Sequence, residues 1–206
     1  MNTRQGLLKR KDRNWDDIYM KLTLEEIPWH SEEPDKELIE LIEGNKVVPR
    51  VVLDVGCGAG TDAIYLAKKG CDVTAIDISE EAIGIACKRA EKAGAKVEFI
   101  ANDFIKVELE DESFDFINDR GCFHHMEPYN RKDFAAKINR VLQMGGNYYL
   151  RCWSDKMEET DRGPYRISKD EIINTFSRYF TLGGITDFRF GGEGARGYIC
   201  LMRKEE

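Results

Sequence analysis

Residues 50–60 constrain the fold more than any other stretch of this chain. Arg50-Val51-Val52-Leu53-Asp54-Val55 reads as a buried strand, Gly56-Cys57-Gly58-Ala59-Gly60 follows without a break, and a helical pattern runs from Asp62 to Lys69. Glycines crowded at the carboxyl end of a strand permit a tight turn. They also let a ligand approach the backbone where the free amides of a helix start face outward. A strand that apolar needs neighbours on both sides and helices over both faces.

The rest of the chain supplies them. Gly70 stops the first helix and Asp72-Val73-Thr74-Ala75-Ile76 reads as a second strand; Ser79 caps a helix to about Lys92, with Glu80 and Glu81 in its first turn and Gly94 ending it. Strands are predicted at Lys96 to Ile100 and, after the polar connection Leu109 to Ser113, at Phe114 to Ile117. A helix near Lys132 to Leu142 leads through Gly145-Gly146 into the aromatic strand Asn147 to Trp153. Ser168 then caps a helix through about Tyr179, and Thr181 to Phe190 and Gly197 to Met202, joined by Gly191-Gly192-Glu193-Gly194, read as an antiparallel hairpin. Before the first strand, Asn14 to Leu24 and Glu37 to Glu43 are helical in pattern, separated by Pro28 and Pro34. The pattern predicts an α/β fold: a Rossmann-like, mostly parallel sheet of seven strands, helices on both faces, and a C-terminal antiparallel hairpin.

A chain of 206 residues with 42% hydrophobic residues fits one domain with a sizeable core. The excess of 38 acidic over 31 basic residues opposes broad attraction to nucleic acid or anionic lipid. Arg4, Lys9, Arg10, Lys11 and Arg13 form a basic stretch with no signal-peptide core behind it, expected to be a mobile arm. No window holds the roughly 20 apolar residues of a membrane helix. Six scattered cysteines without a signal peptide point to reduced thiols and a cytoplasmic location.

The glycine turn alone admits several nucleotides. The dinucleotide fingerprint G-x-G-x-x-G fails because Thr61 stands at its third glycine position, and no Gly-Lys-Ser/Thr closes a P-loop. Pyrophosphate binding, and with it an NAD-dependent oxidoreductase, is disfavoured. Acids recur at successive strand ends, Asp54, Asp77 and Asp103, where a parallel sheet lines them along one crevice. Three carboxylates suit a ligand that offers an ammonium, a vicinal diol and an exocyclic amine, and would repel a pyrophosphate. S-adenosylmethionine carries those groups and a cationic sulfonium besides. A purely structural role is open to each acid as well, Asp54 tying down the loop and Asp77 and Asp103 capping turns. Cys57 and Ala59 are small because the turn is crowded.

Leu53 to Gly60, which reads D-x-G-x-G-x-G from Asp54, and Val73 to Ser79 resemble the class I S-adenosylmethionine-dependent methyltransferases, a likeness spanning roughly Val51 to Trp153. It implies that Gly56, Gly58 and Gly60 form the cofactor turn, with Gly56 and Gly58 close to the methionine and ribose. By the same likeness Asp77 takes the ribose hydroxyls, Asp103 holds the adenine amine, Ile78 and Phe104 pack on the adenine faces, and Asp54 organises the loop and the ammonium. Asp119 is a further candidate for cofactor contact. Trp15 with Tyr19, Pro28-Trp29, Phe114 to Phe123 and Gly163-Pro164-Tyr165 are similar to the thiopurine, thiol or halide, and tellurite-resistance methyltransferases. That likeness implies an N-terminal lid with Trp29 beside the sulfonium, a cation–π contact of about 1–2 kcal/mol when desolvated. A role as core anchors of the N-terminal helix is open to Trp15 and Trp29 as well. The chain then divides into an arm and lid, residues 1–45, and a methyltransferase domain, residues 46–206.

In such a fold the acceptor sits above the fourth and fifth strands, beside Asn118-Asp119-Arg120-Gly121-Cys122-Phe123-His124-His125. His124 or His125 could act as a base, orient an acceptor, or simply pack in the connection. No metal site is expected, because adjacent histidines point apart and no C-x-x-C or H-x-x-x-H accompanies them. Arg120, Arg151, Trp153, Tyr165 and Arg166 are candidate acceptor contacts, and the arginines favour an anionic or strongly polar acceptor; Asp119 and Arg120 also fit an internal ion pair. The expected reaction is in-line displacement of the sulfonium methyl by a small molecule, a thiol or another soft nucleophile that needs little base help. The alternatives are an O- or N-methyltransferase using His124, His125 or Asp119 as base, and a non-catalytic cofactor-binding protein. Expected partners are a small-molecule acceptor, no nucleic acid and no membrane, in a monomer or homodimer.

Overall fold

The computed structural model of the protein describes residues 9–10, 13–190 and 194–205. Among the described residues six α-helices, α1 (Trp15–Lys21), α2 (Lys36–Glu43), α3 (Thr61–Lys68), α4 (Glu80–Ala93), α5 (Arg131–Val141) and α6 (Lys169–Phe176), accompany one sheet. Its strands are β1 (Val51–Val55), β2 (Asp72–Asp77), β3 (Glu98–Ala101), β4 (Phe114–Arg120), β5 (Leu142–Trp153), β6 (Phe180–Leu182), β7 (Thr186–Arg189) and β8 (Arg196–Lys204). The order is β3-β2-β1-β4-β5-β8-β6, with β7 also on β8; β1 to β5 are parallel, and β8 runs antiparallel to β5, β6 and β7.

Strand alternation divides the core. Leu53, Val55, Ile117 and Tyr148 point to one face, where Phe134 and Ile138 of α5 and Ile172 and Phe176 of α6 cover them. Val52, Phe116 and Tyr149 point to the other, under Leu38 and Leu41 of α2 and Ala63 and Leu66 of α3. Each Val, Leu, Ile or Phe among them taken wholly out of water contributes about 1.5–3 kcal/mol. Side-chain caps start the helices where the sequence places them: Ser79 Oγ accepts from Ala82 N at 3.1 Å, Ser168 Oγ from Glu171 N at 3.0 Å and Asn14 Oδ1 from Asp17 N at 3.4 Å.

Three expectations are corrected. Thr181 to Phe190 is two strands, since Gly183-Gly184 interrupt it, so the sheet has eight strands among the described residues. Phe114 to Ile117 continues as strand through Asn118, Asp119 and Arg120, because tertiary partners satisfy those polar side chains. The described part of the basic arm is docked rather than mobile: Lys9 bridges Arg162, Arg10 N donates to Asp161 O, and the Arg10 guanidinium reaches Gly163 O and Pro164 O. Arg4, Lys11 and the turn residues Gly191, Gly192 and Glu193 lie outside the described residues.

The sheet order reverses between β1 and β4, and α/β sheets open a crevice beyond the carboxyl ends of strands at such a point. Register aligns Asp54 with Asn118 and Val55 with Asp119 across it.

Candidate active site

A cleft of about 1290 Å³ opens at that edge, walled by the β1, β2 and β3 loops, the β4 and β5 ends, α1, residues 28–31 and residues 157–166. Its first end is backbone. Gly56, Gly58 and Gly60 all have positive φ, at 69°, 53° and 78°. A Cβ on Gly56 would lie 2.9 Å from Cys122 Cβ, and one on Gly58 would lie 2.7 Å from the Tyr19 hydroxyl. Both turn geometry and crowding therefore demand glycine. Asp77 braces the turn, accepting from Gly58 N at 2.8 Å and Ser79 N at 3.0 Å. Burial holds its carboxyl above the ordinary value, against the pull of those two donors. Asp103 caps the loop after β3 through Ile105 N at 3.0 Å and meets Lys106 Nζ at 3.3 Å. Ile78 stands 54% exposed in the cleft, while Phe104 is buried against the Phe134 ring, 5.2 Å between centroids.

Beneath the turn lies a buried polar network. Asn118 Nδ2 donates to Asp54 Oδ1 at 2.7 Å, and Arg151 binds Asp35 at 2.6 Å, Asp62 at 3.3 Å and the Asn118 carbonyl. Arg120 reaches Asp62 at 3.5 Å and the Trp29 carbonyl at 3.0 Å. Burial and the neighbouring Asp62 push the Asp54 carboxyl up to about 7. Burial opposes ionisation of Asp62 too, but Arg120 and Arg151 beside it keep its value below the ordinary one. Asp54 Oδ2 is buried with no hydrogen-bond partner among the described residues. Such an oxygen beside a glycine turn fits a cationic donor, as the ammonium of S-adenosylmethionine would be.

The second end is side chain. Trp15, Trp29, His124, His125, Trp153 and Phe190 all line it. Trp15 meets Trp29 edge to face at 5.6 Å and His125 at 4.8 Å, and Trp29 Nε1 donates to Tyr19 OH at 3.2 Å. Trp153 N donates to His124 Nδ1 at 2.9 Å; Arg13 donates to His125 Nδ1 and, at 2.7 Å, to Gly163 O. Burial, with Arg13 and Arg166 nearby, lowers His124 to about 3. Burial, His124 and Arg13 hold His125 well below its ordinary value.

The structure therefore brings Trp29, Asp54, Gly56, Gly58, Asp77, Ile78, Asp103, Phe104, Arg120, His124, His125, Trp153 and Arg166 to one cleft. It does not bring Asp119, Arg151, Tyr165 or Gly60 to the wall. Gly60 caps α3 behind the turn. Asp119 is sealed, its oxygens taken by Cys122 N at 2.8 Å, Phe123 N at 3.2 Å and Tyr148 OH at 2.8 Å, and burial raises its carboxyl to about 6. Arg151 is fully buried in the ion-pair network. The Tyr165 hydroxyl donates to Glu127 at 2.6 Å, and the Arg10 and Arg131 guanidiniums lie 4.2 and 4.9 Å from its ring centre. Sequence reasoning missed Asp62, Asn118, Asp35 and Arg13. Asn118 carried a usable signal, a polar residue continuing an apolar central strand; Asp35 and Arg13 carried none, since their partners are 116 and 112 residues away.

Residues 52–146 match a family profile described as a methyltransferase domain. The chain is 31% identical over 169 residues to the 2-heptyl-1-hydroxyquinolin-4(1H)-one methyltransferase of Mycobacteroides abscessus, covering 81% of this chain and 74% of that protein. Among solved structures, one described as the conversion of a disulfide bond into a thioacetal group during echinomycin biosynthesis superposes with a TM-score of 0.76 at 24% identity, over 86% of this chain and 85% of that one. The 1,6-didemethyltoxoflavin-N1-methyltransferase of Burkholderia thailandensis, solved with 1,6-didemethyltoxoflavin and S-adenosylhomocysteine, superposes at 0.70 with 22% identity, over 83% and 78%. At that identity the two structures establish the shared fold.

Proposed function

The chain belongs to the class I S-adenosylmethionine-dependent methyltransferases, and we propose that it methylates a small, planar aromatic acceptor whose nucleophile arrives already deprotonated, a thiolate or a comparably soft or acidic group. The observation that carries this reading is the composition of the acceptor end: an aromatic wall of Trp15, Trp29, Trp153 and Phe190 beside which the candidate bases His124, His125 and Asp119 are committed to internal partners. The Nδ1 atoms of His124 and His125 are both occupied, and Asp119 is sealed. A flat ring would stack among those side chains, and Arg13 and Arg166 would favour a negative charge on it. The relative from Mycobacteroides abscessus acts on a hydroxyquinolinone, a flat bicycle with its hydroxyl on nitrogen, which supports the same acceptor class here.

When bound, S-adenosylmethionine supplies an electrophilic methyl group on its sulfonium. The proposed holders are Asp77 for the ribose hydroxyls, Asp103 for the adenine amine, Ile78 and Phe104 for the ring faces, and Asp54 with the Gly56 and Gly58 turn for the amino-acid end. Trp29, held by Tyr19 and by the Arg120 contact to its carbonyl, covers the cleft and excludes water. Proximity and desolvation then carry the rate, because a thiolate needs no proton removed in the transition state.

S-adenosylhomocysteine release should be measured across aromatic thiols, N-hydroxy heteroaromatics, aliphatic thiols, iodide, tellurite, phenols and amines. Aromatic thiols and N-hydroxy heteroaromatics should turn over best. Turnover confined to aliphatic thiols, iodide or tellurite would overturn the aromatic acceptor, and turnover confined to amines would overturn the base-free reading.

A further inference from the structure

His124 and His125 are placed so that their protonation pattern follows from their partners. The donor to His124 Nδ1 is the backbone N–H of Trp153, and the donor to His125 Nδ1 is the guanidinium of Arg13. Neither group can accept a hydrogen bond, so both Nδ1 atoms must. A neutral imidazole has one proton left to place, and it must then sit on Nε2 in both rings. Burial and surrounding cations keep the rings neutral: Arg13, Arg166 and Arg131 face His124, while Arg13 and Arg10 face His125. Among the nearby carboxylates, Glu127 is taken by the Tyr165 hydroxyl, Glu159 by Arg10 and Asp161 by Lys9.

The ring centres are 4.6 Å apart, edge to face, and both rings line the acceptor end of the cleft. Neither Nε2 has a protein partner among the described residues. Gly121, at φ 98°, leaves the room that His124 needs, since a Cβ there would lie 2.8 Å from His124 Nε2.

From this geometry we infer that His124 and His125 form a pair of neutral hydrogen-bond donors that selects acceptors bearing a carbonyl or oxyanion oxygen next to the methylated atom. The inference deepens the proposed function and rests on the acceptor occupying this end of the cleft. It gives the histidines a binding role, since a ring whose Nδ1 is occupied and whose Nε2 is protonated has no lone pair with which to take a proton.

Two readouts test it. With only three histidines in the chain, a two-bond proton–nitrogen correlation spectrum of the whole protein between pH 6 and 8 assigns each tautomer. Both rings should be Nε2-protonated throughout; an Nδ1–H or imidazolium form of either would overturn the pair. The second readout is acceptor affinity for the S-adenosylhomocysteine complex, by calorimetry, with thiosalicylate, its methyl ester and thiophenol. The ester keeps the carbonyl oxygen and removes the charge that the arginines would attract. It should bind about tenfold tighter than thiophenol, the worth of one good hydrogen bond. His125→Phe should reduce that ratio towards one and His125→Gln, which keeps a donor, should restore part of it. An undiminished ratio in His125→Phe would overturn the donor role of His125. If none of the three molecules binds although both rings are Nε2-protonated, the aromatic-acceptor reading fails together with the inference. If all three bind equally, the inference fails alone.

Discussion

The proposed cofactor end of the cleft is made of backbone and the proposed acceptor end of side chains, and the two ends reach their shapes by different routes. Three positive-φ glycines and one carboxylate that bonds Gly58 N and Ser79 N set the first within residues 56–79. The second is assembled from α1, residues 28–31, the β4 end, Trp153 and residues 157–166, held by contacts such as Arg13 to His125 across 112 residues. A local turn tolerates few substitutions because its dihedrals exclude other residues. A wall of long-range contacts can change its side chains and keep its frame, which suits one fold to many acceptors. Both ends stand on the same buried network of Asp54, Asn118, Asp62, Arg151 and Asp35.

Removing that shared support should have the largest effect. Arg151→Met leaves Asp35 and Asp62 without their buried partner, and denaturant unfolding should show a loss of about 3–5 kcal/mol. Next, Asp77→Ala strips a brace from the turn and the proposed ribose contacts. Cofactor affinity by calorimetry should fall about 100-fold, near 2.7 kcal/mol, while the acceptor KM moves far less. Gly58→Ala forces a Cβ into φ 53° and against Tyr19, which should lower stability by about 1–2 kcal/mol in thermal or chemical melts and weaken the cofactor in parallel.

Asp54 gives the comparison a pH signature. Its carboxyl lies near 7 without a cationic partner. A bound ammonium favours the carboxylate, so binding should release a proton below that pH and affinity should rise as pH increases towards 7, by up to about tenfold per unit. Asp54→Asn should abolish the dependence, which calorimetry in buffers of differing ionisation enthalpy reads directly. The smallest effect belongs to the acceptor end. Arg13→Ala should raise the acceptor KM about fivefold, one hydrogen bond's worth, and leave cofactor affinity within about twofold. An equal loss on both sides would break the division between the two ends.

The geometry of the glycine turn was legible in the sequence because its determinants are local. The turn of Gly56, Gly58 and Gly60 follows β1 directly, Ser79 caps α4 as expected, and Asp77 lies two residues before that cap. The acceptor end was legible only in its residue types. Trp29, His124, His125 and Trp153 line it, but Asp119, Arg151 and Tyr165, equally attractive by position, are committed to internal partners. Nothing local distinguishes an arginine facing a cleft from one facing Asp35 and Asp62. The same limit explains β4, where Asn118 and Asp119 extend a strand because their hydrogen bonds close elsewhere in the molecule. It also explains the arm, whose Arg10 and Arg13 find carbonyls about 150 residues downstream, at Gly163.

We propose that this methyltransferase receives a nucleophile already deprotonated and supplies no base. The pH dependence of kcat/KM for S-adenosylhomocysteine release should therefore be measured with a series of aryl thiols that differ in acidity, at saturating S-adenosylmethionine. A rising limb whose midpoint follows each thiol's own pKa is expected. A single midpoint common to every thiol would assign the proton to the protein and contradict it.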